Sequence, residues 1–253
     1  MVCNGLSKLP RGFTAHLAAI LFAIALTLGT LARARAGETT LDLSVGPLIG
    51  THAEAGARDA VGLVPIPIIA VAHRESIFEV FVEGLPLSPA ITSSSAAQSV
   101  STHLTFENAM FRLYLLGDRL AAGAGETIYN QESRFDPGSV INASRVVGGR
   151  YEVAVFPLVD RRLRIAVDLV PVLHGTLRTR LDQFPSVHFT PADERGSQAE
   201  INLSYRTRGA LTQAEYGVRY INYVSHFTQS GQFADRNTGF RPYASFGIHF
   251  GRR

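Results

Sequence analysis

The 253-residue chain holds a single cysteine, two methionines and no tryptophan, and its only lysine is Lys8. The cysteine, Cys3, precedes the one long apolar run, so it can staple nothing downstream, and a lipid-modified cysteine would come after such a run. A disulfide scaffold is therefore excluded. Four of the 24 basic residues (Lys8, Arg11, Arg33, Arg35) and no acid lie before Gly37, which leaves 20 arginines against 21 acids and a net charge of −1 beyond that point. The formal charge of +3 thus belongs to the leader, and a global field that would hold nucleic acid is absent. The eight histidines are scattered without ligand spacing, so neither a metal nor any other cofactor is expected. No helical period is found after Gly37.

The leader has its own pattern. Lys8 and Arg11 precede an apolar run from Leu17 to Ala32, and Ala34-Arg35-Ala36 places small side chains where a signal peptidase reads them. Residues 1–36 read as a Sec signal peptide, and 37–253 as one domain. The run falls short of the roughly 20 residues that a membrane-spanning helix needs.

Beyond Gly37 the chain alternates. Ten segments carry period-2 patterns: 40–48, 62–72, 76–84, 103–116, 119–129, 146–158, 161–174, 197–207, 211–226 and 241–250. Their connections come in two kinds, taken strictly in turn. Those after the second, fourth, sixth and eighth segments are tight, and 49–61, 85–102, 130–145, 175–196 and 227–240 are long and polar or rich in turn formers. Outer-membrane barrels of a Gram-negative-type envelope have this asymmetry, with short periplasmic turns and longer external loops. The expected architecture is all-β: a ten-stranded antiparallel transmembrane barrel in the cell outer membrane, with roughly eight to twelve strands compatible with the pattern.

The two faces of each segment differ in kind. One carries Ile201, Leu203, Val153, Val155, Val80, Val82, Ile165 and Val167. The other carries Glu79, Glu83, Arg150, Glu152, Arg162, Arg164, Asp168, Glu200, Arg206, Glu215 and Arg219, of both signs at similar depth. Lipid-facing arginine near mid-bilayer costs about 2–4 kcal/mol, so these groups are expected to point inward and pair as a lumen charge network. Pro65, Pro67, Pro157 and Pro171 fall inside expected strands, although a closed barrel has no free edge to absorb a missing N–H donor.

Two resemblances concern the C-terminus. "PYASFGIHF" resembles the terminal strand by which outer-membrane barrels are recognised, which implies the barrel-assembly machinery as a partner; Gly251-Arg252-Arg253 come after the aromatic that usually ends such chains. "INYVSHF" and then "DRNTGFRPYASFGIHF" resemble the late strands of the lipid A 3-O-deacylase family, over roughly the last 40 residues. That resemblance implies Ser225 as nucleophile in an acyl-ester hydrolase, but Tyr223 occupies the position of the histidine base. His226 neighbours Ser225 in sequence and points to the opposite face of an ideal strand. A serine without an imidazole in reach is a weak nucleophile. The Asp-x-Asp and Asp-x-His elements of omptin proteases are absent.

The expected role is therefore non-catalytic: structural, adhesive or ligand-binding through external loops. The alternatives are a lipid A hydrolase-like enzyme around Ser225 and His226, or a narrow solute channel. Outer-membrane lipid and lipopolysaccharide are the expected surroundings, with loop arginines such as Arg134 and Arg195 suited to phosphates.

Overall fold

The computed structural model describes residues 37–251 except 55–56, 86–89, 96–97, 137–139, 159, 185, 188, 229 and 232; within strands, the side chains of 52–54, 57–65, 90–95, 98–100 and 233–234 are also outside the description. The expected signal segment, 1–36, lies outside the described residues. Eleven strands are arranged in chain order: β1 (Glu38–Glu54), β2 (Ala57–Glu75), β3 (Phe78–Gly84), β4 (Ala90–Ser95), β5 (Gln98–Leu115), β6 (Leu120–Asp136), β7 (Val140–Val155), β8 (Leu163–Leu181), β9 (Ala192–Arg208), β10 (Thr212–Phe227) and β11 (Phe233–Gly251).

Each pairs antiparallel with its neighbours in the order β3-β2-β1-β11-β10-β9-β8-β7-β6-β5-β4, and a further β3–β5 ladder closes the sheet. β3 lies against Glu107–Leu113 and β4 against Gln98–His103 of the same strand. The two short strands thus share one place in the wall, and the closed barrel has ten positions. β1 meets β11 along Glu38↔Gly251 to Glu54↔Asp235, which seals the first strand to the last.

All ten expected segments find a place, and most run further than expected at one end. β6 continues to Asp136, β7 begins at Val140, and β8 reaches Leu181. The reason lies in what surrounds these extensions. Glu132 and Arg134 face out and Gln131 and Ser133 face in, so both faces are polar and the period-2 contrast vanishes while the hydrogen-bond ladder goes on. At the other end, left-handed Ser76 (φ 55°), Gly117 (φ 63°), Asp118 (φ 67°) and Arg161 (φ 57°) turn the chain tightly, as in periplasmic turns.

The prolines are absorbed locally. Pro171 sits in a bulge of β8, where the register slips between Val170 and Leu173 against β9 and between Gly148 and Tyr151 against β8. Pro157 lies beyond the end of β7. Pro65 and Pro67 belong to the stretch of β2 above Ile69, which among the described residues pairs with β1 alone. That stretch is an edge within an otherwise closed wall, the place where a missing donor costs least.

The outer surface is apolar over the lower part of every long strand: Leu43, Val45, Tyr151, Val153, Val167, Leu169, Ile201, Leu203, Tyr216 and Phe246 are all exposed. Strands of 16–19 residues rise roughly 40 Å at the usual tilt, against an apolar band of about 25 Å. The remainder projects outward with a charged exterior of Glu132, Arg134, Arg145, Arg178, Arg180 and Arg195. This is the surface of a transmembrane barrel of the outer membrane, with hydrocarbon outside and ions within.

One exposed carboxylate breaks the belt. Glu126 faces out between Ala124 and Ile128, opposite Ala109 and Gly149, six residues above the start of β6 and therefore about 14 Å above the turn. Glu126→Leu is expected to raise the denaturant midpoint of the refolded barrel by the equivalent of about 1 kcal/mol, because acids on the lipid face cost less than arginine. Ile201→Arg, on the same face, is expected to lower it by about 2–4 kcal/mol. Urea titrations in lipid vesicles distinguish the two; equal small effects would place both residues outside the belt.

Candidate functional site

The lumen is built from the inward alternate residues of every strand, and arginine holds it together. In the lower lattice, Arg112 of β5 donates two hydrogen bonds of 2.8 Å to Glu152 of β7 and one of 2.9 Å to Glu79 of β3. Its guanidinium also stacks 3.9 Å from the centre of Phe81. Glu152 accepts a further bond of 2.7 Å from Arg164. The Arg112–Glu152 pair passes over β6, where Gly123 lies opposite both residues. A Cβ at Gly123 would stand 3.2 Å from Arg112 Cγ and 3.4 Å from Glu152 Cβ, so a larger side chain there would push the pair apart.

A second lattice crosses at mid-height. Arg150 of β7 reaches Asp168 at 3.1 Å and Glu200 at 3.0 Å. Arg219 of β10 spans from Glu200 (3.6 Å) to Glu83 of β3 (3.2 Å), on the far side of the barrel. Glu83 also accepts from Asn108 Nδ2 at 2.8 Å, and Asn108 Oδ1 accepts from Thr127. Gln198 donates to Glu200. Arg150 is only 2% exposed and Glu200 3%, so these charges are out of contact with bulk water. Burial of this kind is costly unless each charge is paired.

Of the expected network, Glu79, Glu83, Arg150, Glu152, Arg164, Asp168, Glu200 and Arg219 meet in these two lattices, and Arg206 pairs with Glu215 at 2.6 Å beside them. Arg162 does not join. It lies in the turn before β8, half exposed, 3.1 Å from Asp160. Below the lattices the lumen opens into a charged vestibule of about 340 Å³, bordered by Asp42, Arg74, Asp118 and Arg208. Arg74 and Arg161 both meet Asp118 at its mouth, at 2.7 and 2.5 Å.

Above the lattices the character changes. Ile66, Ile68 and Leu85 pack with Leu48 and Phe106 on one side, and Val146, Val170, Leu173 and Tyr223 with Tyr129 and Ile221 on the other. The rings of Phe106, Tyr129 and Tyr223 succeed one another at 6.1 and 5.4 Å. They enclose a recess of about 90 Å³ with a mostly apolar lining. Arg241 and Arg219 also line it.

Ser225 points into this upper lumen and is fully buried. Its hydroxyl donates to Glu194, which also accepts from Ser144. His226, the next residue along β10, is directed to the outer face with its neighbour Arg195. The two side chains are therefore not brought together. Among the described residues, no group of three or more His, Cys, Asp or Glu could hold a metal ion.

Several lumen residues carry little signal in the sequence: Arg112, Asn108, Arg241, Tyr243, Asp42 and Gln213. Arg112 stands in "AMFRLYL", where both faces are apolar, and Arg241 begins an expected strand and so reads as a loop edge. The cost of arginine in hydrocarbon applies to both and is the signal that turns them inward. Tyr243 hydrogen-bonds Glu215 at 2.8 Å and lies 3.1 Å from Asn202 Oδ1. A tyrosine that pairs with a charge cluster carries no sequence signal of its own.

No family model matches the chain, and no curated protein matches its sequence. Solved barrels do match at low identity. The translocator domain of the autotransporter NalP from Neisseria meningitidis is 10% identical, with 94% of this chain and 96% of that one covered and a TM-score of 0.44. The outer membrane protease OmpT from Escherichia coli is 10% identical over 84% of this chain and 95% of that one, with a TM-score of 0.42. The outer membrane protein OprG from Pseudomonas aeruginosa is 9% identical over 86% and 98%, with a TM-score of 0.37. The likeness is one of general barrel shape.

Glu152 is the most heavily used carboxylate of the lower lattice. Glu152→Gln leaves Arg112 and Arg164 short of charge inside the lumen, and a loss of about 3–5 kcal/mol is expected. Adding Arg164→Met should recover part of that loss. Chemical denaturation of the single and double variants measures both; a double variant no more stable than the single would show that the two arginines do not share this partner.

Proposed function

We propose that this protein is a non-catalytic, non-conducting barrel of the outer membrane, with a structural or ligand-binding role at its external end. The observation that carries the reading is the lattice of charge pairs that spans the lumen at mid-height. Arg219 and Arg150 reach carboxylates on both sides of the barrel, and the aromatic and aliphatic side chains above them occupy the space that a channel would need. Ten strands enclose little more width than eight, which side chains alone can fill. A solute or ion would have to break several charge-assisted bonds in sequence to pass.

Ser225 supports the same reading. Its proton is directed to the Glu194 carboxylate, and the wall separates it from His226, so among the described residues no imidazole reaches the hydroxyl to activate it for acyl transfer. The lipid environment is implied by the apolar belt. Arg134, Arg145, Arg178 and Arg195 stand on the exterior beyond that belt, at the level of lipopolysaccharide headgroup phosphates, and arginine is suited to such contacts. β11, which ends in outward Phe246 and Phe250 and closes against β1, is the segment offered to the barrel-assembly machinery.

In planar bilayers the purified barrel is expected to stay silent under applied voltage, and well-resolved current steps would contradict the closed lumen. Expression in a lipopolysaccharide-bearing host is expected to leave the lipid A mass spectrum unchanged. Loss of an acyl chain that Ser225→Ala abolishes would restore the hydrolase reading.

A further inference from the structure

Every arginine of the two lattices has a carboxylate partner, and Arg241 has none. It is 2% exposed, and among the described residues no carboxylate lies within ion-pairing distance. One nitrogen, Nη2, donates to Ser44 Oγ at 3.1 Å and to the carbonyl of Ile66 at 2.7 Å, and Nε is buried without any hydrogen-bond partner. A buried guanidinium without a carboxylate partner is costly, and one with an unused donor is suited to receive an anion. Arg241 borders the apolar recess above the lattices and not the charged vestibule below.

We propose that the upper recess binds a small amphipathic carboxylate, with its anionic head on Arg241 and its hydrocarbon body among Ile66, Ile68, Phe106, Ile221 and Tyr223. The inference rests on the closed, ligand-binding reading above. Two independent features define the ligand. The guanidinium fork offers the planar donors that a carboxylate matches, in a site dry enough for such bonds to be strong. Away from Arg241 the lining is mostly apolar, and its other basic residue, Arg219, is already paired with Glu83 and Glu200, so the body is apolar. Asp235 and Glu194 also border the recess, but Asp235 is six residues away from Arg241 on β11, roughly 20 Å along the strand, and Glu194 is engaged by Ser144 and Ser225. Neither competes for Arg241.

Size narrows the class. The recess, at about 90 Å³, is smaller than the engineered cavity of about 150 Å³ that takes up benzene. A ring carrying a carboxylate does not fit, and an alkyl tail of about three or four carbons, with its carboxylate on Arg241 at the border, is the largest body it takes. The ligand is therefore a short-chain alkanoate, and its uncharged alcohol analogue should bind poorly because Arg241 would stay unpaired.

The test uses the mature barrel refolded in detergent and pentanoate as probe, monitored by ligand-observed NMR, with 1-pentanol as the neutral comparison. Pentanoate is expected to bind at least ten-fold more tightly than 1-pentanol. Arg241→Gln should remove that preference, and Ile221→Trp, which fills the recess and leaves Arg241 in place, should abolish binding of both. Gel migration before and after heating confirms that each variant is folded. Absence of pentanoate binding, or binding unchanged in Arg241→Gln or Ile221→Trp, overturns the proposal. Bilayer recordings on the same preparation separate the two readings. A silent barrel that fails to bind pentanoate removes only the ligand, whereas a conducting barrel that binds it removes only the closed lumen.

Discussion

A guanidinium inside a narrow barrel has to be matched by a carboxylate from another strand, and most of the structure is a consequence of that requirement. Arg112, Arg150 and Arg219 each engage two carboxylates, and the partners come from β3, β7, β8 and β9. Such contacts fix the register of strands that are not neighbours, which the backbone ladders alone cannot do. A one-residue slip of β9 would turn Glu200 to lipid and Ile201 to the lumen, breaking two pairs and exposing a charge at once. The absence of lysine from the barrel suits this arrangement, since the planar guanidinium fork can serve two acids where an ammonium acts as a single point charge.

The same pairing divides the lumen by chemistry. Below the lattices the walls are charged and open towards the periplasmic end, and above them they are mostly aliphatic and aromatic. A solvated lumen needs no apolar core, so the cluster around Tyr129, Ile221 and Tyr223 is the less ordinary half. It shapes the recess that Arg241 borders. The lumen thus has a charged lower part and a mostly apolar upper part.

Much of the architecture is legible in the sequence. Period-2 alternation locates ten wall positions, because hydrocarbon outside and ions inside impose the contrast directly. The contrast fails where water meets both faces, so the upper reaches of β6, β7 and β8 read as loops. β4 is silent for a related reason, since "AITSSS" offers neither face an apolar run. Among site residues, charges standing opposite clear hydrophobes, such as Glu200 and Arg219, stand out. Arg112 and Arg241, embedded in apolar or loop-like text, do not. The prolines read as objections in the sequence, and in the fold they mark a bulge at Pro171 and a one-sided stretch of β2 at Pro65 and Pro67.

The central claim is that the two faces of each strand meet different solvents, and the barrel segment, free of cysteine, lends itself to a direct measurement. Single spin labels placed in turn at residues 199 to 205 of β9, in lipid vesicles, report collision with oxygen dissolved in hydrocarbon. Accessibility should peak at 199, 201, 203 and 205 and fall at 200, 202 and 204. The opposite phase, or no alternation, would contradict the account.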